Sequence, residues 1–226
     1  MRRLFLLLAL FCTVTAQAQF WKKSSGALTT TEVTKGLKEA LTQGTKKSTS
    51  LVSQLDGYFK NPEIKIPFPP DVQLVETKMR ALGMGAQVDQ FVLSLNRAAE
   101  DAAKEASPIF VTAIQKMTIE DAFGILKGEP DAATQYLKRT TSPQLKEKFA
   151  PIVKNSLNKV NATKYYTDLV GYYNRIPFVS KVNPDLTAYA TDMAIQGLFV
   201  MIAKEEKNIR KDPLARTTDL LKKVFK

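Results

Sequence analysis

Two short patterns in the sequence carry the residue types of acyl-transfer chemistry. Ser156-Leu157-Asn158-Lys159 is a Ser-x-x-Lys, in which a lysine one helical turn away can receive the serine proton. Ser94-Leu95-Asn96 supplies the Ser-x-Asn that accompanies it in penicillin-recognising enzymes. No Lys-Thr-Gly strand completes that set, and both matches fall on helical patterns where such short motifs recur by chance. Imidazole chemistry is excluded outright. With no histidine there is no Ser-His-Asp or Cys-His relay and no His-ligated metal. The one thiol, Cys12, lies inside an apolar N-terminal run. Gly83-Met84-Gly85 lacks the third glycine and the preceding strand of a dinucleotide loop, so it reads as a helix terminator. The adjacent carboxylates Glu120-Asp121 and Glu205-Glu206 diverge on a helix and form no acid/base pair by themselves. A hard-metal site of carboxylates and carbonyls stays open, but no calcium-loop pattern occurs and no cofactor signature is present.

More informative are polar residues set among small ones. In Asn96-Arg97-Ala98-Ala99-Glu100-Asp101-Ala102-Ala103, Asn96 shares a helix face with Glu100 and Arg97 with Asp101, while the alanines permit close helix approach. Glu206 and Arg210 repeat the i,i+4 spacing, acid before base, and Arg216 follows. Two readings fit. Arg97, Arg210 or Arg216 clamps an anionic ligand, or these groups form ion pairs and helix caps that lock long helices together. The second takes precedence. Arg97, Glu100, Tyr136, Glu206, Arg210 and Arg216 make up the candidate ligand-contacting set. Tyr165, Tyr166, Tyr172 and Tyr173 repeat at a seven-residue spacing, either as core packing or as a stacking platform.

The elements that must position these groups are helical. Apolar residues recur at helical spacing over Glu32–Leu55 (with Gly44 an interruption), Asp71–Leu82, and Ala86–Lys104 running on into Pro108–Met117 with a kink at Ser107-Pro108. Thr118 and Asp121 form a capping box for a short helix closed by Gly128. Pro130–Arg139 follows, and Ser142-Pro143 reads as a new N-cap and first turn for Gln144–Val160. Ala162–Asn174, Asp185–Lys211 and Leu214–Phe225 complete the series. The expected fold is all-α: one bundle-like domain of about eight helices with two extended Pro-containing loops, around Ile66-Pro67-Phe68 and Ile176-Pro177-Phe178. An offset of 114 residues pairs Gly57-Tyr58 with Gly171-Tyr172, Pro70-Asp71 with Pro184-Asp185 and Gly83 with Gly197. Internal helical duplication, or one local unit arising twice, would give that pattern.

Export is the clearest expectation. Arg2-Arg3, the apolar run Leu4–Val14 and Ala16-Gln17-Ala18 are laid out as a secretory signal peptide cleaved after Ala18, too short to span a bilayer. The division is thus 1–18 signal peptide and 19–226 a single helical domain, periplasmic or otherwise in the cell envelope. The formal charge of +11, less two arginines, leaves +9 on the exported part, without a thiol or disulfide. An exported basic protein does not meet nucleic acid. Anionic lipid, an envelope polymer or a protein partner fits that charge better.

Five ordered segments carry a family resemblance. They are Gly36–Leu41, Ile64–Pro70, Asn96–Glu100, Asp131-Ala132-Ala133-Thr134-x-Tyr136, and Ile209 through Asp212-Pro213 to Leu221. The chain resembles the bacterial exported family of unknown function numbered four-one-nine-seven, over nearly the whole exported part. The resemblance implies one helical domain behind a signal peptide and brings no reaction, cofactor or catalytic residue. Three classes of function stay open: a non-catalytic binding or structural protein acting through a basic helical surface, which is the leading expectation; a small-ligand or lipid carrier with a helix-lined pocket; and an enzyme using carboxylate, Lys or Ser chemistry.

Overall fold

A computed structural model describes residues 29–175, 177, 178, 180–212 and 222. The expected signal peptide, Cys12, Ile176, Arg216 and the expected helix Leu214–Phe225 (apart from Lys222) lie outside the described residues. Among those described there are eight α-helices and no strand. They are α1 (Thr30–Val52), α2 (Gln73–Ala81), α3 (Gly85–Ala103), α4 (Ala106–Lys116), α5 (Ile119–Lys127), α6 (Ala132–Lys159), α7 (Ala162–Tyr173) and α8 (Leu186–Lys211), with a 3-10 turn at Pro70–Val72 before α2.

α8 is the axis of the bundle and touches α1, α3, α6 and α7. It is long and apolar enough to cross a membrane by length and composition, yet half of that apolar stretch is buried inside the bundle. α1 opens on a capping box at Thr29 and Glu32 and lies antiparallel to α8. Gly44 does not interrupt α1, contrary to the sequence expectation. It sits mid-helix, facing Glu205 and Ile209 of α8 at ordinary contact distance. The Thr118–Asp121 capping box forms as expected at the start of α5. α2 ends in a left-handed glycine, Gly83 at φ 80°, with the Met84 N–H donating to the Met79 carbonyl (2.9 Å), the bond that closes a Schellman turn.

Two helix boundaries differ from expectation. The break between α3 and α4 falls at Lys104-Glu105, before Ser107-Pro108, because proline is tolerated in a first turn where its missing N–H has no partner to lose. α6 is continuous for 28 residues with Pro143 and Pro151 inside it. Ser142 is no N-cap, and its hydroxyl donates back to the Lys138 carbonyl at 2.6 Å. Both prolines are exposed, so water can take the carbonyls they leave unbonded. What holds α6 together is its buried row: Ala133, Leu137, Thr141, Leu145, Phe149, Val153 and Leu157, four residues apart. Steps of four advance about 40° around a helix each time. The buried face therefore winds as α6 passes from α8 to α3.

The two Pro loops are held by one device used twice. In the first, Ile64, Ile66 and Phe68 point inward, alternating with exposed Lys65 and Pro67. The buried backbone of Ile66 needs partners, and the Asn96 side chain on α3 supplies both: it accepts from the Ile66 N–H (2.8 Å) and donates to the Ile66 carbonyl (2.9 Å). In the second, the Asn174 amide does the same for Val182, both bonds at 2.8 Å. The 114-residue offset does not mark equivalent positions. Tyr58 is buried in a loop, whereas Tyr172 is exposed on α7. Gly83 ends a helix, whereas Gly197 lies inside α8 with a Cβ position only 2.7 Å from the Tyr58 ring.

Candidate functional site

The helix spacing of Arg97 and Glu100 forms a pair, and the loop after α1 completes it. Arg97 donates to Glu100 and to Asp56, both at 2.6 Å. Asp56, in a left-handed conformation (φ 69°), is also paired with Lys60 at 2.8 Å. These cations hold its carboxyl below the usual range, Lys60 contributing most. The other oxygen of buried Glu100 accepts the backbone N–H groups of Tyr58 (3.1 Å) and Phe59 (3.2 Å). Tyr58 then inserts its ring beside Gly197 and donates its hydroxyl to the Ala194 carbonyl at 2.6 Å. The arrangement fastens a loop to α3 and α8.

Glu206 and Arg210 form the counterpart at the far end of α8. The buried Glu206 carboxylate receives the N–H groups of Ala133 (3.1 Å) and Thr134 (2.9 Å) and the Thr134 hydroxyl (2.8 Å). It thus caps the N-terminus of α6 from another helix, where the orphan N–H groups and the helix dipole favour negative charge. Arg210 donates to Glu206 (2.8 Å) and to the Ile125 carbonyl near the end of α5 (3.0 Å). Three helices meet at this ion pair, α6 on the carboxylate and α5 on the guanidinium.

The candidate residues therefore do not converge. Arg97 and Glu100 belong to one network and Glu206 and Arg210 to another, while Arg216 lies outside the described residues. Tyr136 borders a shallow recess of about 460 Å³ lined by Glu120, Asp121, Glu129, Asp131 and Arg139. Its hydroxyl donates to the Ala113 carbonyl at 3.4 Å, and burial raises its pKa. Asp131 and the other acids here form no metal-holding group among the described residues.

A larger feature was missed by the sequence reading. Between α2–α3 and the α6–α7 corner runs a half-open groove of about 860 Å³. Phe68, Phe91 and Tyr166 line it in a row: Phe91 is stacked on Tyr166 (centroids 6.1 Å apart) and tilted against Phe68 (5.1 Å). Met79, Met84, Val88 and Leu169 widen the apolar wall, while Ser94, Arg97 and Ser156 are polar. The two serines of the acyl-transfer patterns thus share one groove, but their hydroxyls are engaged. Ser94 donates to the Phe91 carbonyl (2.7 Å) and Ser156 to Asp101 (3.1 Å). Burial pushes the Tyr166 phenol up to about 12, so it stays a neutral hydrogen-bonding group. The tyrosine stripe divides: Tyr166 is buried, Tyr173 half-buried, and Tyr165 and Tyr172 exposed, Tyr172 beneath the Arg175 guanidinium.

A family model described as a protein of unknown function, DUF4197, matches residues 27–226. The chain belongs to the DUF4197 family. Neither a curated protein nor a solved structure matches it. In this DUF4197 protein four of the five segments that carry the resemblance contribute to the Arg97–Glu100 and Glu206–Arg210 networks or to the loop beside them. Ile64–Pro70 is the loop held by Asn96, and Asn96–Glu100 holds it. Asp131–Tyr136 contributes the N–H groups that Glu206 caps, and Ile209-Arg210 contributes the partner of Glu206. The recognisable residues are those that set the architecture.

Proposed function

We propose that this protein is an exported, non-catalytic binding protein of the cell envelope that holds an apolar, chain-like ligand in the α2–α3/α6–α7 groove. Export rests on Arg2-Arg3, the Leu4–Val14 run and the Ala16/Ala18 pair. The groove is the observation that carries the binding reading. Its volume lies in the range of pockets that take small organic ligands, and aromatic rings in contact and methionines line it. What it offers a ligand is chiefly apolar surface, with the side-chain amides of Gln87 and Gln90 among its polar groups. Asp101, the carboxylate bonded to Ser156, is held below its usual range by Lys104 and Ser156 despite its burial, so it is a poor proton acceptor near neutral pH. This favours a carrier over the basic-surface binder first expected from composition, and over an enzyme.

Fluorescence titration with cis-parinaric acid, a naturally fluorescent acyl chain, tests the reading. The wild type should bind it saturably. Gln90→Trp, which fills the groove from an exposed position on α3, should weaken binding at least about tenfold without lowering Tm. Binding unaltered by that substitution would refute the groove as the site. Native mass spectrometry of protein taken from its own envelope would then identify the resident molecule.

A further inference from the structure

We infer that the mouth of this groove is a docking face for an anionic lipid surface, so that the bilayer itself delivers and receives the ligand. The inference rests on the groove reading above and adds where the ligand comes from. Met84, Val160 and Tyr165 line the groove and are nevertheless 38%, 54% and 65% exposed, which places them at its opening. Leu82, 78% exposed, stands beside Met84 in the turn that Gly83 makes possible. On the opposite wall Val160 precedes Asn161, whose left-handed backbone (φ 55°) turns α6 into α7. Two tight turns thus carry protruding apolar side chains at one opening. Clustered exposed apolar groups of this kind mark an interaction surface, and a tyrosine with an apolar body and a polar tip suits the water–lipid boundary.

Charge selects the occupant. Among the described residues no carboxylate lines the groove, and Arg97 is the only charged residue that does. Lys78, Lys159 and Lys164 adjoin lining residues in the chain and are exposed. Of the carboxylates at the groove, Asp89 is paired with Arg80 and Asp101 with Lys104, both at 2.9 Å, and Asp56 and Glu100 are engaged by Arg97. That leaves Asp71, which acts on Tyr166, and Asp168 against three lysines. A cationic rim around an apolar opening matches an anionic headgroup layer above acyl chains. An acidic or apolar protein partner would meet the same rim, but only a bilayer offers both the surface and a chain to fill the groove.

The test is co-sedimentation of the full exported chain with vesicles of phosphatidylcholine alone and of phosphatidylcholine mixed with phosphatidylglycerol, beside parinarate titration in solution. Leu82→Asp/Lys159→Glu/Lys164→Glu alters exposed residues that do not line the groove. The wild type should bind the anionic vesicles and release them in high salt. The triple variant should bind them at least about tenfold more weakly, with Tm and parinarate affinity unchanged. Failure of the wild type to bind anionic vesicles, or binding that survives the triple substitution, overturns the docking face. A dimer that the triple substitution dissolves, without vesicle binding, makes a second copy the occupant and also overturns it. Loss of parinarate binding in the wild type instead overturns the groove reading, and this inference with it.

Discussion

Replacing Glu206 with alanine should be the most damaging single truncation of a charged side chain among the described residues. The carboxylate is almost fully buried and receives the N–H groups of Ala133 and Thr134, the Thr134 hydroxyl and the Arg210 guanidinium. Alanine strands two buried backbone donors, each at about 1–3 kcal/mol. It also leaves a largely buried Arg210 without the carboxylate it is paired to. Together these predict a loss of about 4 kcal/mol, within the range for breaking a buried pair. A fold of ordinary stability has about 5–15 kcal/mol in total, so the effect is measurable without being lethal. Urea unfolding followed by circular dichroism provides the assay. With a slope of about 2 kcal/mol per molar, the midpoint should fall by about 2 M at unchanged slope. Glu205→Ala is the internal control, because Glu205 pairs with exposed Lys47 and its loss should cost under about 1 kcal/mol. If Glu206→Ala and Glu205→Ala shift the midpoint equally, α6 is not capped from α8 and the reasoning fails.

Gly197→Ala should destabilise by about 1–3 kcal/mol, because the new methyl would sit 2.7 Å from the Tyr58 ring and 3.1 Å from Ile64. Alanine's better helix propensity offsets only about 1 kcal/mol of this. In a double-mutant cycle with Tyr58→Ala, measured by calorimetry, that penalty should largely disappear, and a stabilising Gly197→Ala in the wild-type background would contradict the packing. The Asp121 carboxyl, held below its ordinary value chiefly by the Thr118 backbone N–H, should titrate by NMR below the normal Asp range. A depressed folded pKa means the cap stabilises the fold above the unfolded value and that this contribution goes as pH falls through the folded one. Thr118→Ala should move the Asp121 titration upward, and an unmoved titration would count against the cap.

Short-range features were legible in the sequence. The Thr118–Asp121 box, the helical periods of α1, α3 and α8, and the pairing of Arg210 with Glu206 depend on residues within four positions. Arg97, which shares a face with Asp101 by spacing, pairs instead with Glu100, while Asp101 takes Lys104 and Ser156. What escaped was long-range. Nothing near Glu206 indicates that its second set of partners is the backbone of Ala133 and Thr134, more than 70 residues away. Asp56 carries no local signal for Arg97, 41 residues on. The continuity of α6 was hidden because its buried row winds, so no fixed face announces it, and Ser142-Pro143 imitates a helix start. The groove has no sequence signature either. Its wall is assembled from Phe68, α2, α3 and the α6–α7 corner, and only the packing of α2 on α3 and of α3, α6 and α7 on α8 brings them together.

The reciprocal amide on the first Pro loop also bears on solubility. Ile64-Lys65-Ile66-Pro67-Phe68 has the alternation and β-branched content of an aggregation-prone strand, and its backbone would offer an adjacent chain a ladder. Asn96 occupies both hydrogen-bonding groups of Ile66, the residue at the centre of that stretch. Pro67 and Pro69 delete the next alternate donors, and Lys65 places a charge on the outward side. Val182 is protected the same way by Asn174, with Lys181 before it and Pro184 after. An all-helical domain thus keeps two extended segments without presenting either as an edge on which other copies of the chain could polymerise.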